Sequence, residues 1–112
     1  SLRLVLPVAW SFLKTGGEAV CLIKPQFEAG REKVGKNGII RDPAVHLEVL
    51  QKIHHFALEL GFSVRGLDFS PIKGAKGNIE YLMYLCRDTE PSTVSEEDLT
   101  AIVGSSHEDL DD

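Results

Sequence analysis

The connection "SPIKGAKGN", Ser70 to Asn78, constrains this chain more than any other feature. It separates two apolar stretches that read as strands, Phe62 to Phe69 and Ile79 to Cys86. Parallel neighbours need a crossover of a dozen or more residues, and this connection has nine, so the two strands are predicted to run antiparallel. Upstream the situation is reversed. "EAVCLI", Glu18 to Ile23, is an almost continuous apolar run of the kind found in strands covered on both faces. A long helical stretch lies between it and Phe62, the ordinary route to a parallel pair. The expected architecture is therefore an α/β sheet whose last strand runs against the others.

The helix between the first two strands opens at Asp42-Pro43, where Asp caps free N–H groups and Pro suits the first turn. It runs to Leu60 and stops at Gly61. Val45, Val49, Ile53, Phe56 and Leu60 form its predicted core stripe, and Glu48 with Lys52 an i,i+4 ion pair. A further helix is expected over Leu2 to Leu13, with glycines after it and with Pro7 ending, kinking or confining it to one turn. Beyond Arg87 the sequence is rich in Ser, Thr and acid. Residues 87–112 read as a flexible acidic tail, with Ser95 and Asp98 capping at most a short helix over Glu96 to Val103.

A length of 112 residues suits one small domain with a thin core. The net charge of −5 divides unevenly, with +3 over residues 1–86 and −8 over 87–112, so the overall acidity does not exclude a polyanionic partner. No apolar run is long enough to span a bilayer, and the N-terminus lacks a signal-peptide pattern, which points to the cytoplasm. Cys21 and Cys86 fall within strand-like runs and read as buried free thiols. His46, His54 and His55 have no spaced partner that would complete a metal site and are read as solvated or capping residues.

Lys24 follows directly on the first strand, at the sheet edge where ligands gather in open α/β folds. An antiparallel last strand that neighbours the first brings Glu80 to the same edge. A carboxylate beside a lysine holds it in place and tunes it for proton transfer, although a structural ion pair has the same signature. Two loops flank that edge, "EAGREKVGKNGIIRD" and "SPIKGAKGN". Their Arg31, Lys33, Lys36, Arg41, Lys73 and Lys76 suit a phosphate backbone, and equally a solvated loop.

"LIKPQFEAGREKVGKNGIIRDPAVH", Leu22 to His46, and "SPIKGAKGNIEYLMYL", Ser70 to Leu85, resemble the C-terminal half of the TlyA family. Members of that family, historically called hemolysin A, are viewed as ribosomal RNA ribose 2′-O-methyltransferases with an FtsJ-like catalytic domain. The resemblance covers residues 1–86 and excludes the acidic tail. It implies the C-terminal half of a class I, Rossmann-like, S-adenosylmethionine-dependent methyltransferase sheet, with the last strand antiparallel and lodged between its two predecessors. It also implies that Lys24 and Glu80 are the second Lys and the Glu of a Lys-Asp-Lys-Glu catalytic tetrad. The other two members and the cofactor loop belong to the family's N-terminal half. The resemblance further implies S-adenosylmethionine as cofactor and ribosomal RNA or a ribosomal subunit as partner. A chain with this half alone is expected to be inactive and to self-associate through the open edge of its first strand and uncovered helix faces. A membrane-active hemolysin and a non-catalytic RNA-binding module are the alternative readings.

Overall fold

The computed structural model describes residues 1–111, the Lys36 side chain excepted. Its elements are α1 (Leu2–Phe12), β1 (Glu18–Ile23), α2 (Pro25–Glu28), α3 (Pro43–Leu60), β2 (Ser63–Phe69), β3 (Tyr81–Cys86) and α4 (Glu96–Leu110). The strands are ordered β1-β3-β2, and β3 is antiparallel to both neighbours. β1 and β2 are therefore parallel to each other, as the lengths of the two connections require. The register sets Ile23 opposite Tyr81 and Cys21 opposite Met83 on one side, and Phe69 and Leu67 opposite the same two residues on the other.

α3 begins and ends where its sequence predicts. The Asp42 side chain accepts from the Ala44 N–H, and Gly61 closes the helix at φ +107°, a left-handed conformation that strains any residue with a Cβ. Its buried face is rotated from the predicted stripe. Val49, Leu50, Ile53 and Ala57 are buried together with His46 and His54, whereas Phe56 and Leu60 are only partly buried. The Glu48–Lys52 pair forms at 3.5 Å.

Pro7 lies inside α1 without ending it. The helix is held at its far end instead. Arg87 donates at 2.6 Å to the carbonyls of both Trp10 and Leu13, which have no partners within the helix, and its guanidinium stacks 4.3 Å from the Trp10 ring. Trp10 in turn meets Phe62 edge-on at 4.9 Å.

Two expectations are corrected. β1 is not covered on both faces: Cys21 and Ile23 are buried, but Val20 is 59% and Leu22 43% exposed. The expected flexible tail is instead an ordered segment carrying a fifteen-residue helix. Ser92–Val94 is tied to Val64 by three hydrogen bonds, and Arg65 Nη2 donates to both carboxylate oxygens of Asp88 at 2.8 and 2.9 Å. The Ser95–Asp98 capping box then opens α4, which buries Leu99, Val103 and Ser106 against the core. Both cysteines are free and buried, and burial pushes the Cys21 thiol up to about 11.

Candidate active site

β1 stops because Lys24 is followed by Pro25, which has no N–H to give to a ladder and a φ suited to a first helical turn. Lys24 thus becomes the N-cap of α2 in an extended conformation, half-buried, with Nζ 5.8 Å from the centre of the Phe27 ring. The last register pair of the sheet is Ile23 with Tyr81, so Lys24 and Glu80 both lie just beyond it, at the same edge. Glu80 is 7% exposed. Its hydrogen-bond partner is Gln26, whose Nε2 donates to Oε2 at 3.4 Å, and no ion pair within 4.0 Å joins Glu80 to Lys24 among the described residues. Gly74 leaves room for that carboxylate, since a Cβ there would overlap it. The Glu80 carbonyl accepts from the Ser70 N–H at 2.9 Å and closes the loop at its base.

The two polar loops are joined by a residue that sequence reasoning did not single out. Asn78 is 1% exposed. Its Oδ1 accepts from the Ile40 N–H at 3.0 Å, while Nδ2 donates to the carbonyls of Gly38 and Ala75 at 2.9 and 3.0 Å. One buried amide therefore clamps both loops with three of its four hydrogen-bonding positions. No local signal marks it, because the partners come from segments that meet only in the fold. Lys76 reaches over Gly38 from a left-handed turn at φ +59°, an uncommon conformation for a residue with a side chain.

Of the predicted basic residues, Arg31, Lys33, Arg41 and Lys76 are exposed and Lys73 is partly buried, while the Lys36 side chain falls outside the described residues. Lys33 is 3.8 Å from Glu48 at the surface. Glu28 does not offset these cations at the loop: its oxygens take the Leu2 N–H at 2.9 Å and the Ser1 hydroxyl at 3.1 Å, capping α1. Between the loops lies a cavity of about 170 Å³ lined by Gln26, Phe27, Val34, Gly38, Ala75, Lys76 and Asn78. A wider groove of about 580 Å³ along α3 and the start of α4 contains neither Lys24 nor Glu80.

A second polar cluster corrects the reading of the histidines. His46 is fully buried, and His54 is 4% exposed. His46 Nε2 is 3.1 Å from the Ile40 carbonyl, which can only accept, so that nitrogen carries the hydrogen. Its Nδ1 is then an acceptor, with one lone pair facing both His107 Nε2 at 2.8 Å and the Tyr81 hydroxyl at 3.1 Å. The chain continues from Tyr81 to Ser106 at 2.8 Å and from His107 to Asp111 at 2.6 Å. Burial, then the neighbouring His107, holds the His46 pKa down at about 4, and burial pushes Tyr81 up to about 12. The cluster ties α4 to α3, β3 and the Ile40 end of the basic loop.

With this geometry in place, known proteins give a family. The model of the FtsJ-like methyltransferase family matches residues 1–87. The chain belongs to that family. It is 46% identical over 113 aligned residues to "Putative rRNA methyltransferase YqxC" of Bacillus subtilis, covering 98% of this chain and 40% of that protein. It is 36% identical over 90 residues to the 16S/23S rRNA (cytidine-2'-O)-methyltransferase TlyA of Mycobacterium tuberculosis, covering 80% of this chain and 34% of the relative. The solved structure titled "Putative hemolysin from Streptococcus thermophilus" superposes with a TM-score of 0.90 at 46% identity, over 97% of this chain and 39% of its own. The FtsJ-like chain described here thus spans well under half the length of these relatives, and α4 lies beyond the family match but inside the superposed fold.

Proposed function

We propose that the protein carrying this chain methylates a ribose 2′-hydroxyl of ribosomal RNA in the cytoplasm, and that residues 1–86 form the C-terminal half of its Rossmann-like catalytic domain. The observation that carries this reading is the placement of Lys24 and Glu80 at one sheet edge beside two cation-bearing loops. Lys24 acts there as a neutral general base that takes the hydroxyl proton or, as an ammonium, as the group that orients the hydroxyl and stabilises charge during in-line displacement. Glu80, held by Gln26 and given space by Gly74, is the residue assigned to position Lys24 from the same sheet edge. Arg31, Lys33, Lys36, Arg41, Lys73 and Lys76 hold RNA phosphates without reading bases.

The family implies S-adenosylmethionine as the methyl donor, and the residues described here do not fit its cradle. β1 passes straight into Lys24-Pro25 and β2 into Ser70-Pro71, so neither strand end carries the glycine-rich turn into a helix that receives a nucleotide cofactor. No donor-binding residue is assigned to this chain, and the chain by itself is expected to be inactive. Its uncovered apolar surfaces favour self-association.

Replacing Lys24 with Ala in the protein that contains the complete catalytic domain is expected to lower methyl transfer to ribosomal RNA by about 10²- to 10⁴-fold, with RNA affinity little changed. Undiminished transfer would overturn the assignment. No helix among the described residues is long and apolar enough to cross a membrane, and no observation here favours the hemolysin reading.

A further inference from the structure

Phe27 is 66% exposed, beside the candidate catalytic lysine. Its position is not that of a frayed loop. α2 is pinned by buried Pro25, by the Ala29 N–H bonded to the Pro25 carbonyl at 2.9 Å, and by Glu28 capping α1. The ring is therefore presented by a fixed backbone. It lies with Lys24 5.8 Å from its centre and forms one wall of the cavity whose other walls include Val34, Gly38, Ala75 and Lys76. The cavity is apolar on its sides and cationic at its rim. Asn78, its most buried polar group, spends three bonds inward on the loops, which leaves little for reading a base edge.

An exposed aromatic face surrounded by Lys and Arg is the combination that single-stranded nucleic acids occupy, with bases stacked on the ring and phosphates held by the cations. We propose that Phe27 is a stacking platform for an unpaired nucleobase of the RNA strand whose ribose is presented to Lys24. This rests on the RNA reading above and deepens it: the strand is held by stacking as well as by charge, and with little base preference.

Phe12, 83% exposed on α1, supplies an internal control. The test is binding of the protein that contains the complete catalytic domain to a short single-stranded RNA carrying 2-aminopurine, followed by anisotropy for affinity and by quenching of the base for stacking. Phe27→Ala is expected to weaken binding about 5- to 150-fold and to abolish the quench. Phe27→Trp should retain both, and Phe12→Ala should match the parent. In the same assay, replacing Lys73 and Lys76 with Ala should reduce the salt dependence of binding by a slope of about 1 to 2. If the lysine changes act as expected while Phe27→Ala binds and quenches like the parent, the platform is overturned and the RNA reading stands. If Phe27→Ala alters only self-association by light scattering, the ring belongs to a protein contact, and the proposal fails. Absence of any salt-dependent binding by the parent protein with its complete catalytic domain overturns the RNA reading along with it.

Discussion

Along β1 and β3 the two faces of the sheet carry the same kind of side chain and have opposite surroundings. On the inner face, Cys21, Ile23, Val64, Tyr81, Met83 and Leu85 are buried with the apolar stripes of α3 and α4. On the outer face, Val20, Leu22 and Tyr84 remain 59, 43 and 41% exposed. On β1 and β3 the apolar character of the two sides is similar, so it does not by itself decide burial there. The helices decide it: α3 and α4 both pack on one side, and α1 is itself left with Leu4, Val5, Val8 and Phe12 exposed. An apolar face without a cover is a surface prepared for one.

The largest expected effect separates the faces directly. Leu50→Ala, in the inner layer at 0% exposure, is expected to cost about 2–5 kcal/mol in urea unfolding, whereas Leu22→Ala on the outer face should cost less than about 1 kcal/mol. Equal losses would mean that the outer face is covered in solution. Leu22→Lys, by the same logic, should shift the chain toward monomer in light scattering.

Acidification tests the polar part of the inner layer. The folded state holds His46 neutral until about pH 4, while the unfolded chain takes up the proton near 6.5. Between these values the unfolded state binds more protons, so His46 stabilises fully above about pH 6.5, and that contribution falls progressively as the pH drops toward 4. His107, Tyr81, Asp111 and Asp42 are the titratable groups around it. Unfolding free energy at pH 5 is expected to be about 2 kcal/mol lower than at pH 7 from this group, and a flat profile would break the account.

Tyr81→Phe keeps the ring and removes the hydroxyl between His46 and Ser106. A loss of about 1–2 kcal/mol in thermal or urea unfolding is expected, since two buried groups lose a partner. At the surface, Glu48→Gln removes a pair with Lys52 and another with Lys33, each at least 40% exposed, and should change stability by less than about 0.5 kcal/mol.

Much of the fold was legible because its signals are local. Asp42-Pro43 and Gly61 bound α3 through backbone chemistry that needs no tertiary partner, and the length of each connection dictates strand direction. The same reasoning placed Lys24 and Glu80 at one edge. It misread residues 87–112 because acid and hydroxyl residues outweighed a sparse stripe of Leu99, Ile102, Val103, Ser106 and Leu110, which is apolar enough only when α3 and β2 stand opposite it. His46 and His54 were misread for the same reason: a histidine's burial depends on what packs over the helix. Asn78, Gln26 and Phe27 carried no signal of their own.

The sequence by itself determined where the main elements of residues 1–86 begin and end, which strands run parallel, and which lysine and glutamate share an edge, because caps, turn residues and connection lengths act over a few covalent bonds. Only the tertiary structure decided which face of the sheet is covered, that Glu80 bonds to Gln26, that Asn78 joins two loops, and that the acidic segment folds onto the core. Those outcomes depend on side chains from distant segments competing for the same buried space and the same hydrogen bonds.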